Sequence, residues 1–463
     1  MSETTRAMTA GSHAILMDYL FPGDGLEAAA VLICNRGTGR LGRRLLVADI
    51  ICPPYEECRR RPDEVLWPFA ETVSPELITE MDRRNQSLVT IHSHPEGEAW
   101  FSPIDDKNDR MLLASVSGWF DDERPQGAAV MRADGLIRAR TVDETGAFAA
   151  IQTVAVVGDD IKCWKLAAPG PAEPHESRLK QTFGQGTLEL LRGMRVGVVG
   201  CSGTGSIVVE LLTRNAVGEL VIVDDDALDT VNLNRIVNGT SADAERQAPK
   251  VLALRDAIDR IGLGTVVHAL EGVTDSAAIV NALVDCDVIF GCVDTAFGRY
   301  HLDCIASAYL IPYFDVGVDL DADGDGGIHS ADAVAHYVHP EGSSLLSRGA
   351  YTMDQVTAEL WRRADPAYYD QQRLAGYLAE VGEDQPAVMS VNMQASCLAF
   401  NDFLARVAGF RLDANSDFNT QRCRLVHGSF ENDAAEGQPH RLLQPYMAAG
   451  DHSLLVRNNI TND

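Results

Sequence analysis

The sequence predicts an α/β protein of two domains, a small mixed α/β domain followed by a doubly wound parallel sheet. From about residue 195 onward, short apolar strands alternate with helices, which is typical of a parallel sheet covered by helices on both faces. Before that point the segment 167–174 holds three prolines and a glycine, which favours an extended boundary. We therefore predict a first domain at 1–166, a linker at 167–177 and a second domain at 178–463.

The first domain mixes strands and helices without regular alternation. Apolar runs, turn residues and a Ser-Pro helix start delimit its elements. We predict strands Glu27–Cys34, Arg44–Ile51 and Ser87–His94, helices Ser74–Arg84 and Ser102–Val116, and a hairpin Ala128–Val142 around Asp134-Gly135.

The second domain carries the alternating pattern. Buried-type strands are each followed by a helix, in the order expected for a doubly wound sheet. The predicted elements are strand Arg195–Gly200, helix Ser206–Asn215, strand Glu219–Asp224, helix Pro249–Ile261, strand Asp287–Cys292, helix Gly298–Tyr309, strand Pro312–Val316 and a late apolar helix Ala387–Val407.

Composition excludes several classes of partner. The net charge of −28 repels phosphate backbones and anionic lipid, so we expect no nucleic-acid partner. No apolar run reaches about 18 residues, so no membrane span is expected. The ten cysteines form no C-x-x-C pair, which favours a reduced, cytoplasmic compartment.

A candidate metal site lies in the first domain. His92 and His94 are two residues apart on a predicted strand, so their side chains point to the same face. Asp105, in the first turn of the next helix, can supply a third ligand. Two imidazoles and one carboxylate leave the fourth zinc position open for water, which is the arrangement of a catalytic zinc site. Taken alone, Ser102-Pro-Ile-Asp105 is also an ordinary helix start.

The pattern H-x-H-P followed by S-x-x-D resembles the JAB/MPN metalloisopeptidases, which carry the JAMM motif, over residues 12–150. The resemblance implies cleavage after the C-terminal glycine of ubiquitin or a ubiquitin-like protein. It also implies that Glu27 is the general base on the metal-bound water and that Ser102 donates to the developing oxyanion.

A glycine-rich loop opens the second domain. Gly200-Cys-Ser202-Gly203-Thr-Gly205 follows an apolar strand and precedes a helix, where backbone amides can approach phosphates. Acids at 224 and 226 end the next strand, where a carboxylate can hold ribose hydroxyls. Such a loop by itself would first suggest a nicotinamide-dependent dehydrogenase.

The residues that follow resemble the ThiF/MoeB/HesA superfamily, the adenylating core of ubiquitin-activating enzymes, over about 177–410. The resemblance rests on Val231-Asn232-Leu-Asn-Arg235, Pro249-Lys250, Val293-Asp294-Thr295 and Ser177-Arg178. It implies a Rossmann-like adenylation domain that binds ATP and Mg²⁺. The implied phosphate, ribose and magnesium contacts are Gly200, Ser202, Gly203, Gly205, Asp224, Asp226, Asn232, Arg235, Lys250 and Asp294. Arg178 is implied to reach a phosphate, within the chain or across a homodimer.

The chain departs from that superfamily in one segment. Many members carry two C-x-x-C pairs for a structural zinc, whereas the first expected place here reads Pro340-Glu-Gly-Ser-Ser-Leu-Leu-Ser347. Serine does not hold structural zinc, so we expect none. A thioester-forming cysteine is therefore not assigned, and direct transfer from the acyl-adenylate stays open.

Both halves indicate the same substrate, the glycine-ended tail of a ubiquitin-like or sulfur-carrier protein. Conjugation would need a partner conjugating enzyme, and sulfur transfer would need a sulfur donor. The alternatives are a non-catalytic adaptor that binds the carrier in both pockets and a nicotinamide-dependent dehydrogenase.

Overall fold

The computed structural model describes residues 3–120, 122, 124–166, 170, 173–379 and 387–452. The chain forms two compact units. Unit 1 comprises 1–168 together with 308–310 and the segment from 446 onward, and unit 2 comprises 169–307 and 311–445. Most of the predicted linker core, 167–169 and 171–172, lies outside the described residues, and α5 of unit 2 begins at Ser177.

Unit 1 is built on one large sheet with helices on its faces. Its helices are α1 (Ala10–Leu20), α2 (Phe69–Thr72), α3 (Pro75–Arg83) and α4 (Pro103–Ser117). Its strands are β1 (Glu3–Thr9), β2 (Ala29–Thr38), β3 (Arg43–Ile51), β4 (Arg59–Arg60), β5 (Val65–Leu66), β6 (Ser87–His94), β7 (Gln126–Arg132), β8 (Ile137–Val142), β9 (Phe148–Ala150), β10 (Thr153–Val157) and β11 (Ile161–Lys165).

The main sheet of unit 1 has the order β11-β10-β1-β3-β2-β6-β7-β8-β9, while β4 and β5 form a separate hairpin. Alternate residues of β2 face opposite sides, so Leu32 joins the core under α1 while Val31 joins the core under α3 and α4. Both faces of β2 are thus buried. The first six residues of β2, Ala29–Cys34, are buried, and this packing holds the start of the strand in a fixed position.

Unit 2 is a second sheet with a long helical insertion. Its helices are α5 (Ser177–Gly193), α6 (Gly203–Arg214), α7 (Ser241–Glu245), α8 (Lys250–Ile261), α9 (Ala277–Val284), α10 (Ala296–Tyr309), α11 (Met353–Ala364), α12 (Pro366–Leu374) and α13 (Met389–Ala408). Its strands are β12 (Arg195–Val199), β13 (Glu219–Asp224), β14 (Val266–Glu271), β15 (Val288–Gly291), β16 (Tyr313–Ala322), β17 (Ile328–Val338), β18 (Thr420–Arg424) and β19 (Ser429–Asp433).

The order of this sheet is β14-β13-β12-β15-β16-β17-β18-β19. The first five strands are parallel and the last three are added antiparallel. After β12 the chain moves to β13 on one side, and β15 lies on the other side, so the crevice between β12 and β15 is a topological switch point. Helices α6 and α10 both begin at this crevice.

The predicted α/β fold class, with a mixed first half and a doubly wound second half, is confirmed by this topology. The long hairpin β16–β17 and the helices α11 and α12 were not predicted. In the part of the chain that the structure describes, no helix combines the length and apolarity that crossing a bilayer requires.

Candidate active sites

The pairing of β2 with β6 sets the position of Glu27 in unit 1. Ala29 is opposite His92 in the antiparallel register, so the residues before Ala29 run beside the end of β6. Ser93 fixes this stretch, because its backbone N–H donates to the Ala28 carbonyl and its Oγ accepts from the Ala28 N–H, both at 2.9 Å. The carboxylate Oε1 of Glu27 consequently lies 3.7 Å from Nε2 of His94.

The three predicted metal ligands converge. The Nε2 atoms of His92 and His94 are 3.2 Å apart, and Asp105 Oδ1 is 3.3 Å from His92 Nε2. Ligand atoms on a tetrahedral zinc ion with bonds of 2.0–2.1 Å are separated by about 3.3 Å. Asp105 Oδ2 is 3.8 Å from His94 Nε2. The donor set and its spacing therefore fit zinc.

Hydrogen bonding orients the ring of His94 for this role. Its Nδ1 lies 2.9 Å from the Glu98 carbonyl oxygen, so the proton sits on Nδ1 and the lone pair of Nε2 is left for a metal. Burial also lowers the pKa of His94, which favours the neutral imidazole that binds metals. The hydrogen bond to Glu98 opposes this lowering of the pKa in part, but it fixes the tautomer that leaves Nε2 open to a metal.

Glu27 has the properties of a general base. Burial raises its pKa to about 7, and the nearby carboxylates add to this shift while His92 opposes it. A base that titrates near neutral pH combines the required protonation state with useful proton affinity. Its carboxylate lies 3.7 Å from Nε2 of His94, beside the three candidate metal ligands.

Ser102 caps α4 through its hydroxyl oxygen, and capping does not use its O–H as a donor. Its Oγ accepts from the Asp105 N–H at 3.2 Å, and its own N–H donates to Asp105 Oδ2 at 2.6 Å, which completes a capping box. Capping uses a lone pair of Oγ, so the O–H remains able to donate to another group. The cap also orients Asp105 for the metal site.

A cavity of about 430 Å³ opens beside these residues. One wall is the segment 63–69 and the other is α4, while β2 and β6 supply the floor. Glu27, His92 and Asp105 lie along it, so a peptide in the cavity would reach the site.

In unit 2 the glycine loop needs glycine at two positions. Gly200 has φ 88°, and a Cβ there would lie 2.4 Å from the Cys292 carbonyl oxygen. A Cβ on Gly205 would lie 1.7 Å from the Gly200 carbonyl oxygen. Ser202 replaces a glycine of the usual fingerprint, and its φ of −94° is open to any residue. The loop thus keeps its tight turn despite the serine.

The acids at the end of β13 meet the loop and a lysine. Asp224 accepts from the amides of Cys201 at 2.6 Å and Asp226 at 2.9 Å. Lys250 Nζ lies 2.6 Å from Asp226 and 3.8 Å from Asp224. Burial raises the pKa of Asp224, and the charge of Lys250 opposes that shift. Two carboxylates and a cation therefore share the edge where a nucleotide would lie.

The remaining residues that were predicted to contact the nucleotide differ in their position relative to the glycine loop. Arg235 covers the loop, since a Cβ on Gly203 would lie 3.3 Å from its Cδ, whereas Asn232 is buried and accepts from the Asp229 N–H at 3.0 Å. Asp294 is exposed just after β15. Arg178 is exposed on α5 and bonds to Gln181 at 3.2 Å, so among the described residues it is not brought to the loop. The roles of all these residues stay predictions.

Two groups at this crevice were missed by sequence reasoning. Glu359 of α11 accepts from the amides of Ala296 and Phe297, at 3.0 and 2.7 Å, directly after Asp294. Asn392 of α13 packs on the loop, because a Cβ on Gly203 would lie 2.2 Å from its Nδ2. Neither belongs to a recognisable motif, and no local pattern distinguishes Glu359 from other acids on an amphipathic helix.

Comparisons with known proteins agree with the division of the chain into two units. The model of the ThiF family matches residues 175–342, and the model of prokaryotic homologs of the JAB domain matches residues 10–135.

Curated relatives match part of the chain. Molybdopterin-synthase adenylyltransferase of Escherichia coli (strain K12) is 29% identical over 124 residues, 27% of this chain and 49% of that protein. SAMP-activating enzyme E1 of Haloferax volcanii is 30% identical over 129 residues, 28% of this chain and 46% of that protein. The chain thus spans about half the length of these two relatives.

Among solved structures, Escherichia coli MccB crystallised with ATP is 16% identical, with a TM-score of 0.44 over 58% of this chain and 74% of that one. The assignment of the two domains rests on the two family matches. The chain joins a JAB-type domain to a ThiF-type domain, and the fusion that its motifs predict is confirmed.

Proposed function

We propose that unit 2 uses ATP to adenylate the C-terminal glycine of a ubiquitin-like protein, and that unit 1 is a zinc-dependent (iso)peptidase acting at the same tail. The observation that carries the peptidase half is the convergence of His92, His94 and Asp105 at zinc spacing beside Glu27. The adenylation half rests on the ThiF match and on the meeting of Asp224, Asp226 and Lys250 at the glycine loop.

In the peptidase reaction, zinc held by His92, His94 and Asp105 would supply a water whose pKa is lowered to about 7. Glu27 accepts a proton from the attacking water, whose oxygen adds to the carbonyl carbon of the glycine residue. The O–H of Ser102 donates to the oxygen that gains negative charge. Glu27 then returns the proton to the departing amine, so that a free glycine carboxylate and an amine leave the site.

In the adenylation reaction, the exposed glycine carboxylate attacks the α-phosphorus of ATP and pyrophosphate leaves. Asp224 and Asp226 hold ribose hydroxyls, while Lys250, Arg235 and Asn232 contact the triphosphate. Asp294 would hold Mg²⁺, which would offset the negative charge of the carboxylate and the phosphates. Cations are needed here because the reaction brings anions together.

The names of the relatives support this reaction class and leave the pathway open. One is an adenylyltransferase for molybdopterin synthase, and another is a ubiquitin-like modifier-activating enzyme 5 of Culex quinquefasciatus. Sulfur-carrier activation is therefore the second candidate, and it differs in the acceptor of the activated glycine rather than in the adenylation step. An adaptor without catalysis would need neither Glu27 beside the metal triad nor Lys250 between two acids.

Adenylation is tested by ATP–pyrophosphate exchange in the presence of the carrier protein. We expect Asp294→Ala to abolish exchange while peptide cleavage persists, because the substitution removes only the magnesium ligand of unit 2. Asp259→Ala, an exposed aspartate of α8, is the matched control and should leave exchange intact. Unchanged exchange in Asp294→Ala would refute the adenylation assignment, and NADH binding without exchange would indicate a dehydrogenase.

The peptidase half is tested by metal content and cleavage of a carrier extended beyond its terminal glycine. The double variant His92→Ala with His94→Ala should lose bound zinc and cleavage, because one carboxylate ligand is too few for a structured zinc site. His427→Ala, an exposed histidine of unit 2, should keep both. Zinc retained in the double variant would show that the ligands lie elsewhere.

A further inference from the structure

Arg140 of β8 occupies an unusual position under the metal site. The residue is 7% exposed, and its guanidinium lies 3.7 Å from the ring centres of both Phe101 and Phe148. Its Nη1 donates to Asp106 Oδ1, and its Nη2 donates to Asp109 Oδ2 at 2.6 Å. One side chain thus makes two charge-assisted hydrogen bonds and two cation–π contacts.

Three of these four contacts lie in or beside the first turns of α4, and the fourth, Phe148, is on β9. Phe101 directly precedes Ser102, Asp106 directly follows Asp105, and Asp109 lies one helical turn beyond the metal ligand. Arg140 therefore holds residues on both sides of the segment that supplies Ser102 and Asp105.

Apart from the capping box of Ser102 and Asp105, the first turns of α4 have no buried apolar contact to fix them. The buried residues of this helix are Asp109, Leu113 and Val116, and Ile104 in its first turn is 49% exposed. No apolar side chain of α4 before Leu113 is buried. The ion pair between Arg140 and Asp109 takes the place that an apolar contact usually has at a helix–sheet interface.

We propose that Arg140 is a positioning residue for the zinc site, which sets the axial rotation and depth of α4 and thereby the place of Asp105. This inference rests on the proposed metal function of unit 1. Arginine suits the task because its planar group bridges two carboxylates and stacks between two rings, whereas lysine offers a single point charge.

The test is the zinc affinity of Arg140→Lys, measured by competition with a chromophoric chelator below the unfolding temperature. Residues that orient metal ligands without binding the metal typically contribute about 10- to 100-fold to metal affinity. We therefore expect Arg140→Lys to bind zinc about 10- to 100-fold more weakly and to cleave its substrate more slowly. Arg138→Lys is the matched control. Arg138 is on the same strand and donates to the Lys165 carbonyl at 2.9 Å, and its substitution should leave zinc affinity unchanged.

A purely structural role would give a different result. Arg140→Lys would then unfold at lower temperature, while the folded protein bound zinc as tightly as the parent, and this result would overturn the proposal. If Arg140→Lys does not fold, Asp106→Ala decides, because it removes the acceptor of Nη1 and leaves the buried pair with Asp109. Weaker zinc binding in Asp106→Ala supports the proposal, and unchanged binding overturns it.

Failure of the underlying metal assignment can be recognised separately. Zinc that persists after His92→Ala with His94→Ala contradicts the metal site itself. Zinc that is lost in that double variant but binds with parental affinity in Arg140→Lys contradicts only the role of Arg140.

Discussion

Asp303 is a carboxyl group buried inside unit 2, on α10. It is 2% exposed, and the Tyr351 hydroxyl donates to it at 2.8 Å, with the amides of Leu345 and Leu346 at 3.3 and 3.2 Å. Burial raises the pKa of Asp303 to about 7, and these hydrogen bonds offset only part of that shift. The group therefore couples the stability of unit 2 to pH.

The sign of that coupling follows from proton binding. Between the ordinary pKa of 3.8 and the raised value of about 7, the folded protein keeps the proton of Asp303 while the unfolded chain loses it. The stabilisation is complete below that window and declines as pH rises through it. We expect Asp303→Asn to lessen the decline in the free energy of unfolding across the window, measured by urea denaturation at both ends.

Tyr351→Phe provides the opposite change. It removes a hydrogen bond that lowers the pKa of Asp303, so the decline should extend to higher pH. A pH dependence that is identical in Asp303→Asn and the parent would contradict the assignment of this proton.

At the same scale, the sequence predicts some site residues and not others. His92, His94 and Asp105 are close in sequence, and local rules of strand and helix geometry bring them together. Glu27 was predicted from a family resemblance, and its placement follows from the register of β2 with β6. Glu359 reaches the amides after Asp294 from 63 residues away, and no local pattern encodes such a contact.

At the scale of elements, the glycine loop between β12 and α6 shows which positions of a fingerprint are physically required. Ser202 stands where a glycine is usual, and its φ of −94° lies outside the left-handed region that favours glycine. Gly205 differs, because an added Cβ would overlap the carbonyl of Gly200, which is backbone and cannot rotate away.

We therefore expect Gly205→Ala to disrupt the loop and to abolish ATP binding, measured by calorimetric titration. Ser202→Gly is the matched control within the same loop and should still bind ATP, because glycine can adopt the observed backbone angles. Parental ATP affinity in Gly205→Ala would show that nucleotide binding does not depend on this turn.

The serines found in place of the first C-x-x-C pair also act at the scale of elements. Ser343 Oγ donates to the Ala435 carbonyl, and Ser344 Oγ accepts from the His440 N–H at 3.3 Å. These bonds link the segment 340–347, which stands at the first expected cysteine pair, to the segment 435–440. The sequence shows that the cysteines are replaced by serines, whereas the hydrogen bonds made by the serines are visible only in the structure.

At the scale of the whole molecule, the chain does not divide at a single boundary. The segment 446–452 clusters with unit 1, although it follows all of unit 2 in sequence. This segment is bound to β2. Asp451 accepts from the Thr38 N–H at 2.9 Å and from Thr38 Oγ1 at 2.7 Å, and the Ala448 carbonyl accepts from Asn35 Nδ2 at 2.9 Å.

Sequence reasoning placed these residues with the second domain because composition shifts only at the proline-rich segment. Periodicity identifies elements, but it does not indicate which sheet a short irregular segment will join. Such an assignment depends on contacts more than 400 residues apart in sequence, since Thr38 and Asp451 are separated by 413 positions.

Because Asp451 is hydrogen-bonded to Thr38, we expect Asp451→Ala to destabilise β2 locally. Hydrogen bonds to a charged group contribute about 1.5–3 kcal/mol when well formed, and partial exposure reduces this to about 1 kcal/mol for Asp451. Amides of β2 near Thr38 should therefore exchange with deuterium faster in the variant, while amides of β12 should be unchanged because they belong to unit 2. Glu436→Ala, an exposed acid of unit 2, controls for the loss of one negative charge. If exchange at Thr38 is the same in Asp451→Ala and the parent, the segment lies against unit 1 without stabilising it.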